Sequence, residues 1–193
     1  MKICVFGAAS NRIDEKYEND CRALAESLAK CGHDLVFGAG GEGLMGAAAR
    51  GFKDGGAKLH GVIPQFFIDC GYEGVFKELD ELTLTETMAE RKKMMEDEAD
   101  AFVITPGGIG TFEEFFEVLT LKQLGRHKKP IAVYNSYGYF DGLEKFIDGI
   151  VEKNFVNKEC KTLYKVLNTS AEVIEYIENY SPAFTKWDLL KRN

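Results

Sequence analysis

The chain has 193 residues, 45% of them apolar and 28% charged, enough for a buried core without disulfides or metal. Thirty-one acidic against 24 basic residues give a net charge of −7, which argues against nucleic acid or a membrane surface as partner. The five cysteines (Cys4, Cys21, Cys31, Cys70, Cys160) lack paired spacing, no apolar run reaches membrane-span length, and Met1-Lys2 leads straight into ICVFG, so the expectation is a reduced, cytoplasmic protein.

KICVFGAAS (2–10) reads as a short buried strand ending in a small-residue turn. From Asp14 to Lys30, Tyr17, Cys21, Leu24 and Leu28 recur at helical spacing, and Gly32 stops that helix. HDLVFG (33–38) is a second strand, and GAGGEGLMG (38–46) is a glycine-rich loop leading into a helix through about Lys53. KLHGVIP (58–64) is a third strand, residues 65–78 a loop with a short helix, and ELTLT (81–85) a fourth strand. The charged helix TMAERKKMMEDEAD then leads to the apolar strand AFVIT (101–105), a second glycine-rich loop and a helix over 111–124. Strand PIAVYN (130–135), helix 140–153, a short strand near TLYKVL (162–167) and a helix near 171–180 complete the pattern, leaving 181–193 as a tail. Alternating apolar strands and helices predict one α/β domain over residues 1–180, a doubly wound, Rossmann-like, mostly parallel sheet with helices on both faces. Ligands of such sheets sit beyond the carboxyl ends of the strands, where both glycine loops fall.

Residues 106–114, PGGIGTFEE, carry the strongest signal. A strand, a glycine turn and a helix in succession aim backbone N–H groups and a helix N-terminus at an anion, with Gly107, Gly108 and Gly110 leaving room above the backbone. Thr111 stands where an N-cap belongs, and Thr111-Phe112-Glu113-Glu114 also reads as a capping box, so the pattern leaves both capping and catalysis open for Glu114. Adjacent on a helix, Glu113 and Glu114 point apart, so one carboxylate serves a given reacting atom, and placement at the helix start favours its ionised form.

Gly38, Gly40 and Gly43 have the G-x-G-x-x-G spacing of a dinucleotide fingerprint. The loop follows the second strand, however, and HGVIPQ (60–65) offers no acid for a ribose hydroxyl. Met88, Arg91, Lys92 and Met95 share one helical stripe, which reads either as a site or as a solvated charge run, while Lys93, Glu90 and Glu96 read as solvated. His33, His60 and His127 stand alone, without metal-ligand spacing, and read as structural. G-x-S-x-G and P-loop motifs are missing from the sequence.

PGGIGTFEE resembles the P-G-G-x-G-T-x-x-E signature of the Lonely Guy (LOG) family, cytokinin riboside 5′-monophosphate phosphoribohydrolases. GAGGEGLMG resembles the family's other glycine loop and MAERKKMM (88–95) its Met-x-x-Arg-Lys helix, with Glu42 and Ala89 standing where members often carry other residues. The resemblance implies hydrolysis of a nucleoside 5′-monophosphate, AMP or an N6-prenylated analogue, to free base and ribose 5-phosphate, without metal or cofactor. It implies Arg91 and Glu114 as catalytic residues. Gly108, Gly110 and Thr111 would hold the phosphate. Ala8, Ser10, Gly41, Met45, Met88, Lys92 and Glu113 would line base and ribose. A homodimer is implied, with the site near the interface. A non-catalytic nucleotide or cofactor carrier of the same fold is the alternative.

Overall fold

The computed structural model describes residues 1–71 and 74–182. Its strands are β1 (Lys2–Phe6), β2 (Asp34–Phe37), β3 (Leu59–Pro64), β4 (Glu81–Thr85), β5 (Ala101–Ile104), β6 (Ile131–Tyr134) and β7 (Lys165–Leu167). They form one seven-stranded sheet in the order β4-β3-β2-β1-β5-β6-β7, and each pairing is parallel. The helices are α1 (Glu15–Lys30), α2 (Gly43–Asp54), α3 (Gln65–Asp69), α4 (Met88–Glu98), α5 (Ile109–Gln123), α6 (Asp141–Glu152) and α7 (Ser170–Glu178).

Side-chain alternation along the strands builds two cores. Ile3 and Val5 of β1 pack with Leu24 and Leu28 of α1, Phe52 of α2 and Val173 of α7. Cys4 and Phe6 of the same strand pack with Met95 of α4, Phe115 and Val118 of α5, and Ile147 of α6. A strand buried on both faces must be apolar throughout, which is why these runs are nearly unbroken. The apolar stripe of α1 behaves as its spacing predicts, with Cys21, Leu24 and Leu28 buried and Asp14 capping the start by accepting from the Lys16 N–H at 3.0 Å. Among the described residues no helix is long and apolar enough to cross a membrane.

The helix start that matters most differs from its expected position. α5 begins at Ile109, with Gly108 as N-cap and no side-chain cap bond. Thr111 is therefore inside the first turn, only 4% exposed, and the Thr111–Glu114 capping box does not form. The reason is local: Thr111 packs under Gly107, where an added Cβ would lie 2.1 Å from its Oγ1. A true capping box starts α7, where the Thr169 hydroxyl accepts from the Glu172 N–H at 3.2 Å and Glu172 accepts in return from the Thr169 N–H at 3.0 Å. Most of the tail assigned to 181–193, from 183 onward, and residues 72–73 of the 65–78 segment lie outside the described residues.

Strand order reverses between β1 and β5. The helix after β1 covers one face and the helix after β5 the other, so the loops leaving these two strands diverge and open a crevice at their carboxyl ends.

Candidate active site

The crevice floor is the start of α5. Its first helical hydrogen bond runs from Phe112 N–H to Gly108 O at 3.1 Å, leaving the N–H groups of Ile109, Gly110 and Thr111 without intrahelical acceptors. Gly108 and Gly110 border open space, since a Cβ at either would meet nothing within 4 Å. The loop carbonyls are occupied elsewhere: Pro106 O accepts from Ala8 N–H at 3.1 Å, and Gly107 O accepts from the Tyr139 hydroxyl at 2.6 Å. Unpaired N–H groups at the positive end of a fifteen-residue helix are suited to receive an anion. Beside it a cavity of about 340 Å³ is lined by Ala8, Ser10, Ile13, Tyr17, Leu44 and Tyr139 together with the Pro106–Gly108 turn.

Arg91 approaches from α4, whose start is capped by the Thr87 hydroxyl accepting from Glu90 N–H at 3.1 Å. It is 4% exposed, so the charged stripe of the sequence is not a solvated face at this position. Its Nε donates to Val62 O at 3.2 Å and its Nη1 lies 3.8 Å from Met88 Sδ. A Cβ on Gly38 would lie 1.5 Å from its Nη2, so the first glycine of the G-x-G-x-x-G run makes room for a guanidinium. Gly43, with φ of +56°, brings the 38–46 glycine loop against Ala8 O, where a Cβ would lie 2.5 Å away. That carbonyl accepts from Leu44 N–H at 2.8 Å and Met45 N–H at 3.2 Å, so protein occupies the start of α2. The glycines thus serve internal packing, in keeping with the mismatch to a dinucleotide fingerprint.

Glu114 is partly buried, and the expectation that its helix-terminal position keeps it ionised is corrected. Burial pushes its carboxyl up to about 7, against the opposing pull of Arg91; Glu113 pushes the same way as burial, and Lys92 opposes. Arg91 and Glu114 make no direct pair, and Arg91 acts on Glu114 through its field. Glu113 points outward, as adjacency requires, and pairs with Lys92, which also pairs with Glu117 at 2.6 Å. Burial alone would lower the Lys92 pKa, but its bonds to Glu113 and Glu117 raise it. Glu96, expected to be solvated, is partly buried, and burial followed by repulsion from Glu117 raises its carboxyl to about 7.

Of the expected residues, Ala8, Ser10 and Gly108 line the cavity, Gly110 and Thr111 follow in the first turn of α5 and Glu114 in its second, Arg91 lies against Met88 and within electrostatic reach of Glu114, and Lys92 and Glu113 are tied together. Gly41 and Met45 do not line the cavity. The Gly41 N–H donates to Gly74 O at 2.8 Å, and Met45, 8% exposed, belongs to the core. His60, bonded to Glu98 at 2.9 Å and Thr83 at 2.8 Å, and His127, bonded to Val118 O at 2.8 Å, are structural as expected. Sequence reasoning missed Tyr17 and Tyr139. The signal was the polar, aromatic turn NSYGY (135–139), placed at the same end of the sheet as the glycine loops.

A doubly wound sheet with an open helix start, a carboxylate and a buried arginine beyond the carboxyl ends of its strands places the protein in the Rossmann-like class, with a site whose chemistry suits a phosphate-bearing ligand. A family model described as "Possible lysine decarboxylase" matches residues 45–177. Over 181 residues the chain is 36% identical to cytokinin riboside 5′-monophosphate phosphoribohydrolase LOG2 of Arabidopsis thaliana, covering 94% of this chain and 84% of that one. Over 185 residues it is 35% identical to a probable enzyme of the same description, LOGL2, of Oryza sativa subsp. japonica, covering 96% and 75%. The chain belongs to the LOG family. Among solved structures, the molybdenum cofactor carrier protein of Chlamydomonas reinhardtii superposes with a TM-score of 0.69 at 22% identity, covering 92% of this chain and 95% of that one, a likeness of fold.

Proposed function

We propose that the protein hydrolyses the N-glycosidic bond of a purine nucleoside 5′-monophosphate, AMP or a cytokinin-type N6-substituted analogue, releasing free base and ribose 5-phosphate. The carrying observation is the juxtaposition of an open helix N-terminus with a carboxylate raised to about 7 on the second turn of the same helix. Family membership and the activity named for the plant relatives support it.

The 5′-phosphate binds the N–H groups of Ile109, Gly110 and Thr111, and the Gly108 and Gly110 backbone admits it closely. As the C1′–N bond breaks, the base leaves with the electron pair and takes up a proton, while positive charge develops on the ribose. Ionised Glu114 stabilises that charge and accepts a proton from the water whose oxygen bonds to C1′. Arg91, whose field lowers the Glu114 pKa, keeps a usable fraction of it ionised at neutral pH. No step calls for a metal or cofactor. Decarboxylation through a pyridoxal Schiff base would need a free lysine at the crevice. Lys92 there is held by two carboxylates, and Lys122, lowered to about 8 by burial, lies in the last turn of α5.

The reading includes a cytoplasmic homodimer that binds neither nucleic acid nor membranes. Ile109, 87% exposed at the crevice mouth, is apolar surface that a second subunit would cover, and sedimentation checks the assembly. The activity is tested by incubating the protein with AMP, and separately with N6-isopentenyl-AMP, and following free base by chromatography. Base release with equimolar ribose 5-phosphate supports the reading. Nucleotide binding without release replaces it with a carrier.

A further inference from the structure

We propose that Tyr139 is a positioning residue for the anion-binding loop, its hydroxyl holding the Gly107 carbonyl out of the mouth in which the substrate phosphate binds. The inference rests on the phosphate assignment made above and deepens it.

A glycine turn ahead of a helix can rotate its peptide planes at little cost, because glycine tolerates both signs of φ. Each rotation that aims a carbonyl oxygen at the mouth would replace an N–H donor with a negative dipole end and repel a phosphate. The loop has two carbonyls free to do this, and both are tethered. Pro106 O accepts from Ala8 N–H at 3.1 Å, a backbone bond no side-chain change removes. Gly107 O accepts from the Tyr139 hydroxyl at 2.6 Å, the one tether made by a side chain.

Tyr139 is itself held firmly for a residue 40% exposed. It follows a turn in which Tyr137 and Gly138 take left-handed backbones, with φ of +52° and +73°. The buried Asn135 closes that turn. Its Oδ1 accepts from Phe140 N–H at 2.6 Å, and its Nδ2 donates to Asp141 Oδ1 at 2.9 Å and Asn168 Oδ1 at 3.1 Å. The Tyr139 ring meets Tyr17 and Phe140 edge-on, with centroids 6.1 and 5.0 Å apart. A non-glycine residue in a left-handed conformation is strained and persists where its surroundings impose it. Here the constraint delivers one phenol to one carbonyl.

The perturbation is Tyr139→Phe, which keeps the ring and removes the tether. Removing one neutral hydrogen bond predicts about a fivefold weakening of AMP, measured as KM and as calorimetric Kd, with kcat within about twofold of the parent. Ribose 5-phosphate, as inhibitor and as calorimetric ligand, should weaken by the same factor. Adenosine, which lacks the phosphate, should bind as it does to the parent. Unchanged AMP binding, an equal loss for AMP and adenosine, or a loss in kcat with binding intact would each overturn the proposal. Calorimetry keeps the two readings apart. If the parent protein binds AMP but releases no base, the hydrolase reading fails, while the ratio of AMP to adenosine affinities in Tyr139→Phe still decides the role of Tyr139.

Discussion

Replacing Glu114 by Gln should stabilise the protein at alkaline pH while removing its activity. The carboxyl is raised from an ordinary 4.5 to about 7, burial being the largest cause. A group with a higher pKa folded than unfolded stabilises fully below the unfolded value, and that stabilisation is lost as pH rises through the folded value. Between about pH 4.5 and 7 the native protein therefore gives up about 3 kcal/mol, at roughly 1.36 kcal/mol per unit. Glutamine has nearly the same shape and cannot ionise. Allowing for the cost of burying its amide, Glu114→Gln should gain about 1–3 kcal/mol at pH 8.5, or about 3–10 °C in Tm for a chain of this size. At pH 5 most of the gain should vanish. Over the same series kcat should fall at least about 100-fold, and the parent's pH–rate profile should show an acid limb near 7. Thermal melts at pH 5 and 8.5, paired with base-release rates, are the assay. A Tm difference that is negative, or the same at both pH values, would refute the reasoning, since a capping or packing role for Glu114 predicts loss at every pH.

The strands were legible because a parallel sheet covered on both faces forces nearly continuous apolar runs, and ICVF, DLVF, AFVI and IAVY have no other comfortable reading. The helix faces were legible from spacing. The start of α5 was not, because Thr111 has the chemistry of a cap, and only three-dimensional packing under Gly107 shows that it is needed inside the turn. The stretch T-S-A-E at 169–172, with the same chemistry, does make the cap, so a motif states a capability and the backbone decides whether it is used.

The site was half legible for a related reason. The glycine loop and its helix are contiguous in sequence, and their function is local. The burial of Arg91 is not local: Val62 O accepts its hydrogen bond across 29 residues, and Gly38, just after β2, supplies its space. Without those partners the run ERKKMMEDE looks like a solvated face. The state of Glu114 escaped for the same cause. Helix position argued for ionisation, burial argues against it, and burial is a property of the packed fold that neighbouring sequence does not display.

Three further substitutions separate these roles. Gly38→Ala places a methyl 1.5 Å from Arg91 Nη2; the side-chain end can swing aside, so the fold should survive by circular dichroism while kcat falls at least about tenfold. Gly43→Ala meets backbone instead, 2.5 Å from Ala8 O and at a φ of +56°, and should cost about 2 kcal/mol or more, read as a Tm drop of roughly 4–8 °C. Lys92→Met tests the electrostatics of the flank. Lys92 stands between Glu113 and Glu117, with Glu96 close enough to feel its charge, and it is one of two cations, with Arg91, that lower the Glu114 pKa. Without it the Glu114 carboxyl should rise further, because the carboxylates around it lose their shared counter-charge. The acid limb of the pH–rate profile should move to higher pH, so that the variant is severalfold slower than the parent near pH 6.5 yet close to it at pH 8.5. Lys92→Arg should restore the parent profile. A uniform rate loss across the pH range would instead mean that Lys92 contacts substrate directly, and its placement outside the reacting set would be wrong.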